Sequence, residues 1–392
     1  MSIAITNIGS LVTNDQSLGS GILGELTNAA LVIENDRVVW VGNSAQVPDA
    51  DQKIDAEGNA VIPGFVDSHA HLLFAGERSK EFQARMKGEK YSAGGIKSTV
   101  AATREATDTE LEQNLLRLVA EMQRSGITTF ETKSGYGLTT DDETRALAIA
   151  AKHTTETTFL GAHVVPSEYS GREDKYVELV TDEMLDSILP YSKWIDVFCD
   201  QGAFDVDQSR QILQAGKDKG LLPRIHANQL TQGGGVQLAV ELDCASADHC
   251  THLSDKDIEA LVGSNTVATL VPGAEFSTRA TYPNAARLVD AGVSVALATD
   301  CNPGSSYTTS MAFCIAIAIR DMGFTPEQAL WSATMGGAKA LRSNDIGSLS
   351  VGKSADLVVL KAPSYLHLGY RPGVDLVSQV FKSGKSIYQE QK

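Results

Sequence analysis

The sequence predicts an α/β protein, a (β/α)₈ barrel of the TIM type with a small β-sandwich-like domain built from both chain ends. Two observations favour this fold class. Between residues 61 and 345, short apolar runs alternate with stretches long enough for a crossover helix, and eight runs can be counted. The length of 392 residues also leaves room for a barrel of about 250 residues and a smaller appendage.

The two chain ends are rich in strand-forming residues and turns. The segment AALVIENDRVVWVG holds two β-rich runs joined by Asn35 and Asp36, which is a hairpin pattern. Near the other end, GSLSVGKSADLVVL and LVSQVFKSGKSIYQ have the same character. We therefore expect residues 1–60 and 346–392 to form one small β domain beside a barrel of residues 61–345.

The eight apolar runs of the barrel segment are separated by predicted helices. In chain order the runs are AVIPGFVDSHAH, ITTFETK, TTFLGAHVV, WIDVFCD, LLPRIHAN, ASADHC, TVATLVP and VSVALATD. The helix before the second run is predicted by apolar residues at helical spacing, namely Leu111, Leu115, Leu118, Val119 and Met122. Thr107 and Glu110 make a capping box, and Gly126 ends this helix.

Composition and charge favour an ordered protein with a small-molecule partner. Hydrophobic residues make up 42% of the chain and charged residues 21%. The formal net charge of −16 argues against non-specific attraction to nucleic acid or to a membrane surface. An anionic substrate would therefore need a local basic group to hold it.

The amino terminus and the cysteines bear on the compartment. MSIAITNIGS lacks the basic start and apolar run of a secretory signal, and no stretch of about 20 apolar residues follows elsewhere. The five cysteines form no Cys-x-x-Cys pair and are odd in number, which is typical of reduced thiols. We expect a cytoplasmic protein.

His69 and His71 end the first barrel run. Residues two apart on a strand point to the same side, so both imidazoles can reach one metal ion. The carboxyl ends of barrel strands also face the active site. Taken alone, however, the His-x-His pattern is equally typical of two core or surface histidines.

Other candidate groups end later runs. His226 ends the fifth run, His249 the sixth and Asp300 the eighth, while His163 lies in the third. Five of the eight histidines thus fall on one predicted face of the barrel. Neutral imidazoles with a carboxylate suit one Zn or Fe ion, which lowers the pKa of water from about 15.7 toward 7 and polarises a carbonyl group.

This arrangement resembles the amidohydrolase superfamily, which has the His-x-His motif, a histidine on each of the fifth and sixth strands and an aspartate on the eighth. Further segments resemble the branch of that superfamily that opens the ring of imidazolone propionate in histidine degradation. They are FVDSHAHLLFAGERSKEF, TKSGYGLT, GAHVVP, HANQ, ADH, ATDCNPGSS and the ADLVVL ending. Together the matches extend over nearly all of the chain.

The resemblance implies the metal ligands and a clamp for the substrate carboxylate. The ligands of a single divalent or trivalent ion, zinc or iron, would be His69, His71, His226 and Asp300. Arg78 and Tyr136 would hold the propionate group of this small anionic substrate. A guanidinium forms paired hydrogen bonds with a carboxylate and keeps its charge when partly desolvated. The alternative for Arg78 is a surface salt bridge.

The resemblance also implies contacts to the rest of the substrate, which would come from His163, Gln229, Asn302, Gly304 and Ser305. A glycine permits close backbone approach. The alternatives are a core imidazole hydrogen-bonded to the backbone for His163 and an ordinary turn for Gly304.

The implied reaction is attack of water on the ring carbonyl followed by C–N cleavage to N-formimidoyl-L-glutamate. His249 would stabilise or protonate the reacting carbonyl group. Gln229 can orient the water but cannot act as a general base, so proton removal falls to Asp300 or His249 where relatives place a glutamate.

Two further residues have open roles. The fourth run, WIDVFCD, holds no lysine that could bridge two metal ions, so a mononuclear site is expected. Lys133 follows the second run, where a packing or substrate-loop role is expected. His252 lies three residues past His249 and could approach the site if the chain bends. The resemblance implies a homodimer.

Two other functions remain open at this point. A mononuclear deaminase of a nucleobase-like substrate would share the metal ligands but would not need Arg78 and Tyr136 as a carboxylate clamp. A non-catalytic scaffold with the same fold is the second alternative, because fold alone does not decide function. The four intact candidate ligands speak against the scaffold.

Overall fold

The computed structural model describes residues 2–89 and 95–390. Its strands are β1 (Ser2–Val12), β2 (Glu25–Glu34), β3 (Arg37–Asn43), β4 (Gln52–Asp55), β5 (Ala60–Pro63), β6 (Phe65–Asp67), β7 (Ile127–Phe130), β8 (Thr132–Lys133), β9 (Thr157–Ala162), β10 (Trp194–Cys199), β11 (Leu222–Pro223), β12 (Ile225–Ala227), β13 (Ser246–His249), β14 (Val267–Leu270), β15 (Val295–Leu297), β16 (Leu357–Leu360), β17 (Val377–Lys382) and β18 (Lys385–Gln389).

Helices fill most of the connections between the later strands. They are α1 (Ser79–Met86), α2 (Ile96–Glu105), α3 (Asp108–Arg124), α4 (Thr140–Ala150), α5 (Glu173–Leu179), α6 (Leu185–Ile188), α7 (Val206–Asp218), α8 (Gly235–Glu241), α9 (Asp255–Leu261), α10 (Pro272–Thr278), α11 (Ala285–Asp290), α12 (Met311–Asp321), α13 (Pro326–Trp331), α14 (Gly337–Ala340) and α15 (His367–Tyr370). Two π turns, Val180–Met184 and Ser332–Gly336, join α5 to α6 and α13 to α14.

Strands from both chain ends form one eight-stranded sheet. Its order is β18-β17-β16-β5-β1-β2-β3, with β4 also beside β1. The predicted hairpin is confirmed, because β2 and β3 pair antiparallel across Asn35, which has a positive φ of 56°. The first predicted barrel run is divided, since β5 pairs with β1 and β16 in this sheet and only β6 enters the barrel. The domain limits at residues 60 and 345 remain a prediction.

The remaining strands form the predicted barrel. The parallel order is β15-β14-β13-β12-β10-β9-β8, with β11 beside β10, and β6 pairs with β7. Backbone hydrogen bonds join the first strand segment to its neighbours on both sides. Glu131 N donates to Asp67 O at 2.9 Å, and His71 N donates to Cys301 O at 3.0 Å. These bonds close the ring, so the first segment lies between the second and the eighth.

Helix α3 has the capping box and the buried apolar stripe that its sequence pattern predicted. Thr107 and Glu110 form the predicted reciprocal capping box. The five apolar residues predicted to face the core are the buried ones, and Gly126 follows the helix with a φ of 95°. Burial of this apolar stripe, rather than helix propensity alone, stabilises such a crossover helix.

Two findings concern the helices and the cysteines. Among the described helices, none combines the length and apolar character that are needed to cross a bilayer. All five cysteines are buried and unpaired.

Candidate active site

Ten of the twelve predicted site residues line one cavity at the carboxyl ends of the barrel strands. They are His71, Arg78, Tyr136, His163, His226, Gln229, His249, Asp300, Asn302 and Ser305. The other two, His69 and Gly304, lie behind the cavity wall, where they contact His71 and Arg78, respectively. The parallel strands bring these distant parts of the chain to one barrel face, as the sequence predicted.

Three imidazoles and one carboxylate converge at the base of this cavity. The Nε2 atoms of His69 and His71 lie 3.3 Å apart, and those of His71 and His226 lie 3.4 Å apart. Asp300 Oδ1 lies 3.4 Å from His69 Nε2 and 3.5 Å from His71 Nε2. We call this set the imidazole cluster.

The distances measured from His69 and His71 fit a bound metal ion. Two sets of three side chains have ligand atoms within 4.8 Å of one another, namely His69 with His71 and Asp300, and His69 with His226 and His249. A tetrahedral ion with bonds of about 2.1 Å holds its ligand atoms about 3.4 Å apart. The orientation of the rings agrees with this, because the Nδ1 atom of His69 lies 2.7 Å from Asp248 Oδ2 and that of His226 lies 3.0 Å from Asp196 Oδ2. The His69 Nδ1–H directed at Asp248 leaves an Nε2 lone pair on this ring, which a cation would stabilise, whereas the His226–Asp196 contact is close but lacks hydrogen-bond geometry.

Asp196 and Asp248 were not predicted as site residues. Each orients one imidazole, and both side chains are fully buried. Burial works to raise the pKa of Asp196, but His226, Lys133 and Arg224 outweigh burial and hold this pKa well below its ordinary value. The available sequence signal was a charged residue inside the apolar run WIDVFC, where a buried strand has little reason to carry one.

The backbone is in a rare conformation at two of the predicted catalytic residues. His249 has a φ of 76° and Asp300 a φ of 50°, in the left-handed region that residues other than glycine seldom adopt. Strain of this kind persists where the surrounding structure fixes the backbone, and it concentrates at functional sites. It turns the two side chains away from regular strand geometry and toward the cavity.

Burial favours the neutral form of four imidazoles at the cavity, those of His69, His71, His163 and His249. Burial lowers the pKa values of His69, His71 and His249 well below the ordinary value, and the Lys133 ammonium group adds to this effect. Burial likewise lowers the pKa of His163 to about 3. Neutral imidazole is the form that binds a metal ion or accepts a proton.

Burial has the opposite effect on Asp300, whose pKa it raises well above the ordinary value. The Ser305 hydroxyl donates to Asp300 Oδ2 at 3.2 Å and offsets part of this effect. A buried carboxylate in this position is one that a cation would stabilise.

Arg78 is held by Glu81 in a paired contact that was not predicted. Nε donates to Glu81 Oε1 at 2.9 Å and Nη2 to Oε2 at 2.5 Å, while the arginine side chain is only 5% exposed. Arg78 does form a salt bridge, as in the alternative interpretation, but its side chain is buried and lines the cavity rather than the surface. The contact fixes the plane of the guanidinium.

The loop after Asp300 is organised by Asn302. Its side-chain oxygen accepts from Gly304 N at 2.7 Å and from Ser305 N at 2.8 Å, and its amide donates to Asp300 O at 2.7 Å. Gly304 allows a close approach, since a Cβ atom there would lie 2.3 Å from Arg78 Nη1. The group that approaches Gly304 closely is therefore Arg78 of the same chain, whereas the resemblance implied a contact with the substrate.

The loop after β8 is organised by Glu143, another residue that was not predicted. The buried Glu143 carboxylate accepts from the backbone N–H groups of Gly135, Gly137 and Leu138 at 2.7 to 2.9 Å. This loop carries Tyr136, and Gly135 O lies 2.9 Å from His163 Nδ1. The His163 ring stacks on His71 with centroids 5.5 Å apart, so it lines the cavity as well as contacting backbone.

Lys133 and His252 have different surroundings. The side chain of Lys133 is fully buried among carboxylates, so the expected packing role is closer to the structure than a substrate-loop role. His252 is half-buried and is not one of the described residues that line the cavity.

Comparison with known proteins gives the family. The sequence model of the amidohydrolase family matches residues 60–387. An imidazolonepropionase of Streptomyces coelicolor is 64% identical over 384 residues, covering 98% of both chains. An imidazolonepropionase of Streptomyces griseus subsp. griseus is 63% identical over 385 residues, covering 98% of this chain and 99% of the relative.

Solved structures show the same fold at low sequence identity. A mutant atrazine chlorohydrolase of Arthrobacter aurescens TC1, complexed with zinc and atraton, superposes with a TM-score of 0.75 at 16% identity, covering 99% of this chain and 95% of the other. An adenosine deaminase of Xanthomonas campestris with bound zinc gives 0.70 at 19% identity, covering 99% and 93%. The chain belongs to the amidohydrolase family and, within it, to the imidazolonepropionases.

Proposed function

We propose that this chain hydrolyses 4-imidazolone-5-propanoate to N-formimidoyl-L-glutamate, a step of histidine degradation. The observation that carries the proposal is a buried arginine in the same cavity as an imidazole cluster with metal-ligand spacing. A carboxylate-bearing ring with a reactive carbonyl suits both features at once. The nearly full-length identity to imidazolonepropionases supports the same substrate.

We assign one Zn or Fe ion to His69, His71, His226 and Asp300. When bound, such an ion acts as a Lewis acid that lowers the pKa of water and polarises a carbonyl group. The ligand set does not distinguish the two metals, since imidazole and carboxylate accept both.

The carboxylate of the substrate is assigned to Arg78, with Tyr136 beside it. Glu81 binds the Nε and Nη2 side of the guanidinium, and Nη1 lies near Gly304. Asn302 and Ser305 would shape the wall there. A guanidinium held in one plane loses less entropy when it binds a second carboxylate.

The ring of the substrate is assigned to His163 and Gln229. The contact of His163 Nδ1 with Gly135 O fits the tautomer in which Nδ1 carries the proton. Its Nε2 atom is then an acceptor that could receive a ring N–H. Gln229 can donate to and accept from a water molecule and so orient it, but it cannot remove its proton.

Transfer of the proton is assigned to Asp300, and stabilisation of the developing oxyanion is assigned to His249. Water adds to the ring carbonyl carbon, the C–N bond breaks, and the proton that the water loses ends on the departing nitrogen. Asp300 both belongs to the imidazole cluster and lines the cavity, so its carboxylate is placed to accept and return this proton. A neutral His249 can donate an N–H to the carbonyl oxygen as negative charge develops.

The location and assembly are also proposals. A cytoplasmic enzyme suits five buried, unpaired cysteines. We propose a homodimer, which light scattering of the purified protein tests.

Turnover by the purified protein tests the proposed function. Loss of imidazolone propionate should be matched by formation of N-formimidoyl-glutamate, identified by mass spectrometry, with the metal content measured on the same sample. Cytosine, guanine and adenosine serve as competing substrates. Ammonia release from one of these, without turnover of imidazolone propionate, would favour a deaminase and contradict the proposal.

A further inference from the structure

Five fully buried charged side chains lie beneath the imidazole cluster. They are Glu131, Lys133, Asp196, Arg224 and Asp248, each with no exposed side-chain surface. None of the five lines the cavity, so they do not touch a substrate there. We call this set the buried charge network.

Lys133 lies at the centre of the buried charge network. Its Nζ atom is 2.9 Å from Glu131 Oε1 and 2.9 Å from Asp196 Oδ2, and it is 3.9 Å from Asp248 Oδ2. Arg224 is farther from the carboxylates, with Nε 3.5 Å from Asp248 Oδ2 and Nη1 3.6 Å from Glu131 Oε1. One ammonium group therefore links all three carboxylates.

The same carboxylate oxygens contact both Lys133 and the imidazoles. Asp196 Oδ2 lies 3.0 Å from His226 Nδ1, and Asp248 Oδ2 lies 2.7 Å from His69 Nδ1. A change at Lys133 thus reaches two candidate ligands through one intervening atom each. Partners of ligating histidines fix the ring orientation and the basicity of the ligand.

We propose that Lys133 is a positioning residue for the metal site. It holds Asp196 and Asp248 where they orient His226 and His69, and it limits the negative charge that these carboxylates direct at the imidazoles. The inference rests on the proposed function in that it takes the imidazole cluster as the metal site. It assigns Lys133 a role beyond packing.

The competing explanation is that Lys133 only balances buried negative charge. A double variant separates this explanation from the positioning role. With all five groups ionised, the network carries one net negative charge. Lys133→Met alone raises the buried net charge to two negative charges, which destabilises the fold whether or not Lys133 has another role. Lys133→Met with Glu131→Gln restores the net charge, because Glu131 pairs with Lys133. Glu131 Oε2 also accepts from the Ala70 N–H, between His69 and His71, at 3.1 Å, so Glu131→Gln alone is measured as the control for this contact. Cobalt binding as weak in this single variant as in the double variant would contradict the role of Lys133.

The experiment measures metal binding without substrate. Cobalt(II) affinity is determined by competition with a chelator, and the d–d spectrum reports the ligand geometry. Thermal unfolding of the metal-free protein reports the fold. The matched control is Lys193→Met, which removes a lysine paired with Glu156 at 2.8 Å outside the network.

The double variant should unfold near the wild-type temperature, bind cobalt about 10- to 100-fold more weakly and show an altered d–d spectrum. Its kcat should fall in similar proportion, with KM within about twofold. Wild-type cobalt affinity and spectrum in a folded double variant would overturn the proposal. Lys193→Met should leave both unchanged.

A variant that keeps the charge covers the case in which the double variant does not fold. Lys133→Arg replaces a point charge with a wider planar group that cannot reproduce the contacts at 2.9 Å to two carboxylates. An altered cobalt spectrum supports the positioning role, and a wild-type spectrum contradicts it. Failure to turn over imidazolone propionate would refute the proposed function but leave these metal measurements readable.

Discussion

The two halves of the cavity differ in how their charged groups are held. In the half that contains the imidazole cluster, the partners of the rings are fully buried carboxylates on barrel strands. In the half that contains Arg78, the partner is Glu81 on α1, whose side chain is 38% exposed. Strands of a closed barrel move less than loop and helix ends, so the imidazole half is preorganised and the arginine half is better able to adapt.

The largest effect is expected from a change in the imidazole half. Asp300→Asn removes a charged candidate ligand and the assigned proton acceptor, while it keeps the shape of the side chain. We expect kcat to fall at least about 10³-fold, because an ion and a proton acceptor each contribute several kcal/mol to transition-state stabilisation. Steady-state kinetics with metal analysis checks this. Activity within tenfold of wild type would remove Asp300 from the site.

Stability should respond to pH through Glu275, a buried residue of α10 that is not among the described residues lining the cavity. Burial raises the pKa of Glu275 from 4.5 to about 7. Between these values the unfolded chain releases a proton that the folded protein keeps, so the free energy of unfolding decreases as pH rises from about 4.5 to 7. The free energy of unfolding of Glu275→Gln should therefore increase by about 2 to 3 kcal/mol, relative to that of wild type, when the pH rises from 4.5 to 8.

Denaturant unfolding at these two pH values measures the difference. Gln keeps an oxygen that can accept the hydrogen bond from Thr251, which is 2.7 Å long in the structure. Exposed Glu259→Gln is the control and should show no pH-dependent gain. An equal stability difference between Glu275→Gln and wild type at both pH values would show that folding does not shift the pKa of Glu275.

In the arginine half, Arg78→Ala should weaken substrate binding more than the chemical step. We expect KM to rise about 10- to 100-fold, the loss of one or two charge-assisted hydrogen bonds. The matched control, Arg287→Ala, removes an exposed arginine paired with Asp255 and should leave KM unchanged. An unchanged KM for Arg78→Ala would instead assign the substrate carboxylate to another group.

A smaller change is expected from Gly304→Ala, because the added methyl group would lie 2.3 Å from Arg78 Nη1. The guanidinium must shift, so KM should rise about tenfold with kcat nearly unchanged. Gly233→Ala adds a methyl group whose nearest described neighbour is 3.7 Å away, and it serves as the control. If both variants behave alike in kinetic assays, close packing against Arg78 has no part in binding.

The fold and the candidate ligands were predictable because they follow repeating patterns. The alternation of strands and helices gave the barrel, and histidines at strand ends marked the imidazole cluster. The residues that orient the site were missed, because Asp196 and Asp248 contact imidazoles from strands that are distant in the sequence. Glu81 and Glu143 were missed for another reason, since helical charges usually face solvent and only the three-dimensional structure shows what they contact.

The sequence pattern also did not show that the first predicted run is divided between two sheets. Ala60–Pro63 and Phe65–Asp67 are neighbours in one predicted run, and both are fully buried. Which sheet each segment joins depends on the pairing of β5 with β1 and β16, which lie far apart in the chain. Hydrophobic pattern specifies a buried strand but not its neighbours.

The most direct test of the account is anomalous X-ray diffraction from crystals of the purified protein at the zinc and iron absorption edges. The account predicts one ion, about 2.0 to 2.2 Å from the Nε2 atoms of His69, His71 and His226 and from an Asp300 oxygen. Two ions in the barrel, or one ion bound away from these four side chains, would contradict it.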